Sequence, residues 1–187
     1  DEALFLEKSE WKSIYDMPEN LKNAFVAIED KRFYKHNGVD WLRTFKAVGN
    51  YIFRFGNRSF GGSTITQQLI KNLTGDNMVS PKRKLEEIFR AINLETDLSK
   101  NEILESYLNV VYLSENCYGV GTASQLYFNK DIKELSLREC ASLAAIVQNP
   151  TKYDPYTNPK NNTNRSKLIL SQMLEQNMIK NEEYENA

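Results

Sequence analysis

Two adjacent carboxylates, Glu29 and Asp30, open the stretch Ala24-Phe25-Val26-Ala27-Ile28-Glu29-Asp30-Lys31-Arg32-Phe33-Tyr34-Lys35-His36-Asn37-Gly38. A helix with the stripe Leu21, Ala24, Phe25 and Ile28 puts Glu29 at its apolar edge and Asp30 on the opposite side. A carboxylate at such a margin is partly desolvated, which suits it to proton transfer near neutrality. Periodicity alone favours an ordinary boundary residue reaching water. His36, the only histidine, is expected to order a turn beside Gly38, because no second His or Cys lies at ligand spacing.

Three other places carry chemistry. Gly61-Gly62-Ser63-Thr64 opens a helix, where bare backbone N–H groups at the positive end of a dipole suit a phosphate. Short glycine turns before helices are common without any ligand. Gln67 and Gln68 follow, amides that can read sugar hydroxyls or simply face water. Further on, Glu87 has Arg83 at i−4 and Arg90 at i+3. That pattern is either a solvated ion-pair ladder or one wall of a cleft, where Arg83 and Lys84 would hold a phosphate beside a second carboxylate.

The elements positioning these residues read almost wholly as helices. Asp16 caps the first in a box with Glu19, with Pro18 in its first turn. Asp40 caps the second, with Trp41, Phe45, Val48, Ile52 and Phe55 inward and a stop at Gly56. A third runs from Thr64 through Ile65, Leu69 and Leu73 to Gly75. Ser80-Pro81 starts a fourth with Leu85, Ile88, Phe89 and Ile92 inward. Ser99 and Glu102 box a fifth carrying Ile103, Leu104, Tyr107, Leu108 and Val111. A short helix ends at Tyr127-Phe128, and Ser136 caps a buried central helix from Leu137 to Val147, stopped at Asn149-Pro150. A last amphipathic helix runs from about Arg165 to Ile179. No period-2 strand of useful length appears, so the fold class is all-α.

With 187 residues, 41% of them hydrophobic, one substantial core or one domain with a lobe is affordable. No apolar run approaches the roughly 18 residues that cross a bilayer, and no signal peptide opens the chain. A start at Asp1 without Met and a charged end at Asn181–Ala187 are expected of a fragment. Cys117 and Cys140 are expected as two free thiols. The net charge is −1, yet residues 31–90 hold 12 Lys or Arg against 4 Asp or Glu, a local +8 that leaves −9 elsewhere. That asymmetry points to an anionic partner. No nucleic-acid motif appears, so a phosphate-bearing substrate or an anionic membrane surface is the better fit.

The motifs resemble, in order, those of the peptidoglycan glycosyltransferases, found as monofunctional enzymes and as the first catalytic domain of class A penicillin-binding proteins. Glu29-Asp30-x-x-Phe33-x-x-His36-x-Gly38 resembles the first motif. Gly61-Gly62-Ser63-Thr64-Ile65-Thr66-Gln67-Gln68-Leu69 with Lys71-Asn72 resembles the second, and Arg83-Lys84-x-x-Glu87 the third. Lys100-x-x-Ile103-Leu104-Glu105-x-Tyr107-Leu108-Asn109 resembles the fourth. Arg138 to Ala144, followed by Pro150 and Tyr153, resembles the fifth, with Cys140 where alanine is usual.

The resemblance implies a lysozyme-like helical fold with a smaller hydrophobic lobe near the membrane. The implied reaction polymerises lipid II, with inversion and release of polyprenyl pyrophosphate. Glu29 would be the general base, and Glu87 would help the pyrophosphate leave, directly or through a Mg or Mn ion. Lys71 and Arg83 would meet that pyrophosphate, Thr64 and Gln68 would sit at the donor site, and Arg165 would add a phosphate contact. Gln67 and Lys84 complete the implied substrate-binding set. Asp30, Phe33, His36, Gly61, Gly62, Ser63 and Asn109 support the motifs. No tightly bound cofactor is implied. Implied partners are lipid II, the lipid-linked growing glycan, the extracytoplasmic face of a bacterial plasma membrane and other cell-wall synthesis or division proteins. Moenomycin, the family's phosphoglycolipid inhibitor, would bind. Tyr51 to Phe60, with Phe53 and Phe60 beside Arg54 and Arg58, is expected to lie against the membrane. A lytic enzyme on the same fold and a catalytically silent binding module are the alternatives.

Overall fold

The computed structural model describes residues 11–46, 62–75 and 80–187. In chain order these form α1 (Glu19–Glu29), α2 (described over 41–46), α3 (Ile65–Thr74), α4 (Pro81–Asp97), α5 (Lys100–Val110), α6 (Val120–Phe128), α7 (Leu137–Ile146), α8 (Pro150–Tyr153), α9 (Pro159–Glu175) and α10 (Asn181–Asn186). Short 3₁₀ turns occupy Phe33–Lys35 and Ile132–Glu134. There is no strand among the described residues, only an isolated bridge between Tyr112 and Tyr118. The Tyr51–Phe60 stretch, Val48 and Gly61 lie outside the described residues.

Local chemistry sets most helix ends. Thr64, Ser99 and Ser136 each accept the N3 backbone N–H, while Gln67, Glu102 and Glu139 return the bond. Ser80 accepts from Arg83 N–H ahead of Pro81, and Asp40 Oδ1 accepts from Arg43 N–H at 3.1 Å. Gly75 closes α3 in the left-handed region. The first helix differs from expectation: Pro18 is its N-cap, with no side-chain capping bond, and Asp16 pairs with Lys133 at 2.7 Å instead. The last amphipathic helix begins at Pro159, earlier than its apolar pattern, because its first turns are polar and held by Asn158 and Asn162. The short helix α10 carried no apolar signal.

The core forms around α7, whose residues Cys140 to Ile146 are all buried. Helices α1 and α9 pack on α7 and on each other, while α3 packs on α4 and α5. Phe25 of α1 meets Tyr107 of α5 edge to face, joining the two groups at a centroid distance of 6.3 Å. Burying each large apolar side chain here stabilises the fold by about 1.5–3 kcal/mol. Cys117 and Cys140 are buried free thiols, and burial raises Cys117 to about 11.

Several apolar residues face outward, contrary to their periodicity. In α4, Leu85 and Phe89 are 55% and 59% exposed, and the buried positions are Glu87 and Ala91. Trp41, Phe45 and Leu73 are also exposed. The reason in α4 lies at Gly38, where φ is +82° and the backbone of Ala91 approaches so closely that a Cβ would sit 2.5 Å from its carbonyl oxygen. That contact turns the small Ala91 inward and carries Glu87, one turn earlier, in with it. Gly38→Ala therefore collides with backbone on a positive φ, and we expect a loss of about 2–4 kcal/mol. Thermal denaturation within about 2 °C of the wild type would show the contact to be soft.

Candidate active site

Glu29 is the last residue of α1, and at Asp30 the backbone leaves the helix at φ −155°. This break separates the neighbouring carboxylates, in the reverse of the expected sense. Asp30 turns inward and is fully buried, whereas Glu29 is half-buried on the wall of a cleft of about 1450 Å³. Glu29 Oε2 accepts from Gln68 Nε2 at 2.9 Å, and its backbone carbonyl accepts from the Arg43 guanidinium. The Asp30 carboxylate accepts from His36 Nε2 at 2.9 Å and from the backbone N–H of Ile65 at 3.0 Å. His36 thus orders the turn after α1, as its neighbourhood predicts. Phe33 beneath it is buried against the Lys100 ammonium, 4.5 Å from the ring centroid.

The same contacts revise the glycine loop. The N-terminus of α3 is not left bare: Asp30 takes the N–H of Ile65, and Thr64 Oγ1 takes that of Gln67. Thr64 is buried, its hydroxyl donating to Gly38 O at 2.6 Å, and buried Gln67 accepts from the Thr64 N–H at 2.9 Å. Both residues, expected at the substrate, are scaffold here. Gly62 and Ser63 are half-buried, and Ser63 lines the cleft with Gln68, Lys71 and Asn72. Asn109 is structural as well, bonding Lys12 N–H and carbonyl, each at 2.8 Å, to pin the segment before α1.

Glu87 is only 4% exposed, which rules out a solvated ladder. Its carboxylate accepts from Arg83 Nη1 at 2.8 Å and from the Lys84 ammonium, while Arg90 is exposed. Lys84 also donates to Ser63 Oγ at 2.8 Å. The trio stands behind the cleft wall and reaches it through Ser63. Both carboxylate oxygens of Glu87 already hold cations, and the described residues contain no group of three or more His, Cys, Asp or Glu placed for a metal. A divalent ion does not fit at Glu87 as arranged.

Arg165 of α9 lines the cleft, its guanidinium 5.1 Å from the Tyr153 ring and its Nε buried without a hydrogen-bond partner. Burial lowers its pKa, against an opposing pull from Glu29. Lys31, Arg32, Arg43 and Lys46 add four cations to the cleft lining. The charge excess of residues 31–90 was a signal for them, but no motif named them individually.

The transglycosylase family pattern covers residues 3–174. The chain belongs to the transglycosylase family. It is 47% identical over 182 residues to penicillin-binding protein 1A of Clostridium botulinum, covering 92% of this chain and 22% of that protein. With penicillin-binding protein 1F of Bacillus subtilis the identity is 43%, covering 95% of this chain and 25% of the relative. The chain thus spans about a quarter or less of the length of these relatives. The crystal structure of penicillin-binding protein 1A from Haemophilus influenzae superposes with a TM-score of 0.57 at 25% identity, covering 95% of this chain and 17% of that one. The all-α transglycosylase fold expected from the motifs is the fold observed.

Proposed function

We propose that this transglycosylase domain is a peptidoglycan glycosyltransferase that polymerises lipid II. The observation carrying this is the Glu29 carboxylate, oriented by Gln68 on the wall of a large cleft whose lining also holds Lys71 and Arg165. Glu29 takes the proton of the acceptor 4-hydroxyl as that oxygen bonds to the donor's anomeric carbon. The bond from that carbon to the pyrophosphate breaks with inversion, and its electron pair leaves on the phosphate oxygen. Lys71 and Arg165 offset the charge of this leaving group, while Arg83 and Lys84, ordered by Glu87, add positive potential behind Ser63. A sugar hydroxyl thereby stands where an inverting glycosidase activates water.

The lipid-linked substrate requires work at a membrane surface, on the extracytoplasmic face where peptidoglycan is built. The exposed Trp41, Phe45, Leu85 and Phe89 support apolar contact there, and none of the described helices is long and apolar enough to cross a membrane. A smaller membrane-proximal lobe and association with other cell-wall proteins belong to the same reading. Incubation with lipid II and, separately, with mature glycan tests it. Lengthening chains from lipid II are expected. Shortening of mature glycan would mean lysis, and binding of either without turnover would mean a silent module.

A further inference from the structure

The bond from Gln68 to Glu29 depends on which end of the amide faces the carboxylate. The two ends of a glutamine amide have nearly the same shape and differ only in polarity. An ionised carboxylate only accepts, so Nε2 must point to Glu29, which sends Oε1 the other way and leaves it in need of a donor. That donor is on α5. We propose that Tyr107 is a positioning residue for Glu29: its hydroxyl, donating to Gln68 Oε1 at 3.2 Å, holds the amide with Nε2 on Glu29 Oε2.

Tyr107 suits this role in three respects. Its side chain is fully buried and does not line the cleft, so it acts on the reaction only through a neighbour. Its ring stands edge-on to Phe25, on the helix that ends at Glu29, so the donor packs against the element that carries the carboxylate. Burial, followed by the charges of Glu29 and Asp30, raises the phenol well above its ordinary range, which keeps the proton in place for donation. The other charged groups about Glu29 come from different elements: Arg43 on its carbonyl, Arg165 from α9 and the adjacent Asp30. None of them bonds Gln68 Oε1. Gln68 is therefore held at both ends by protein, and an amide free at Oε1 would swing out of line with the carboxylate.

This inference rests on the proposed role of Glu29, so its test has one readout with turnover and one without. Tyr107→Phe removes a single oxygen and retains the ring. With lipid II, kcat is expected to fall about 5–20-fold while KM stays within about twofold. In a Gln68→Ala background the same substitution should change kcat less than about twofold, because the relay is already cut. The turnover-free readout is the ¹⁵N–¹H signal pair of the Gln68 side-chain amide, assigned by its loss in Gln68→Ala. Wild type should show one exchange-protected, downfield proton, and Tyr107→Phe should collapse the pair to the values of a free amide. An unchanged signal pair, or independent kcat losses that multiply in the double variant, overturns the relay. If wild type does not polymerise lipid II yet the signal collapses in Tyr107→Phe, the functional reading fails and the relay stands.

Discussion

Glu29→Gln is expected to lower glycan polymerisation by ~10²-fold or more with the fold intact. The replacement is nearly isosteric, and an amide can still meet Gln68, so packing at the end of α1 is retained. What disappears is, among the described residues, the cleft-wall carboxylate oriented by a side-chain donor; Asp40, which also lines the cleft, caps α2 and pairs with Arg32 at 3.6 Å. Glu19→Gln is a suitable control, because Glu19 lies ten residues earlier on the same helix and pairs with Lys22 at 2.7 Å. Turnover near the wild-type rate in Glu29→Gln, measured as pyrophosphate-lipid release from lipid II, would remove Glu29 as the base.

The second large effect is on stability. Asp30→Ala strips the acceptor from two buried donors, His36 Nε2 and Ile65 N–H, in a site with no solvent access. Each donor left unpaired costs about 1–3 kcal/mol, so the total lies at about 2–6 kcal/mol, with about 3 kcal/mol as the expected loss. For a chain of this size that corresponds to a fall of roughly 6–12 °C in Tm. Activity should fall as well, because Asp30 ties the end of α1 to the start of α3, and those two ends carry Glu29 and Gln68. A Tm within about 2 °C of the wild type would mean that the two donors find other partners. Asp30→Asn, which keeps one acceptor oxygen, is expected to lie between the two.

The family and most of the frame were legible in the residues. The capping pairs Thr64/Gln67, Ser99/Glu102 and Ser136/Glu139 are local chemistry within one helical turn, and they form as their spacing predicts. The inward faces of α5 and α7 follow from uninterrupted apolar periodicity. The ordered motifs identified the family without any coordinates, because five spaced patterns constrain a chain far more than composition does.

Other features depended on contacts between segments distant in the chain. Nothing within α4 distinguishes an apolar stripe that faces the core from one that faces outward. That choice was made by the close approach of Gly38, which turned Ala91 and Glu87 in and left Leu85 and Phe89 out. Helical phase placed Asp30 opposite the core, but phase has meaning only while the helix lasts, and the chain breaks at that residue to reach His36 and Ile65. Thr64 and Gln67 carried chemistry that suited a sugar or phosphate, and the fold used it for a cap and for Gly38. The sequence by itself therefore determined most of the helices, the caps at Thr64, Ser80, Ser99 and Ser136, and the family. Only the tertiary structure decided which polar groups face the cleft, because burial and pairing of a side chain are set by residues far away in the chain, and no local pattern encodes them.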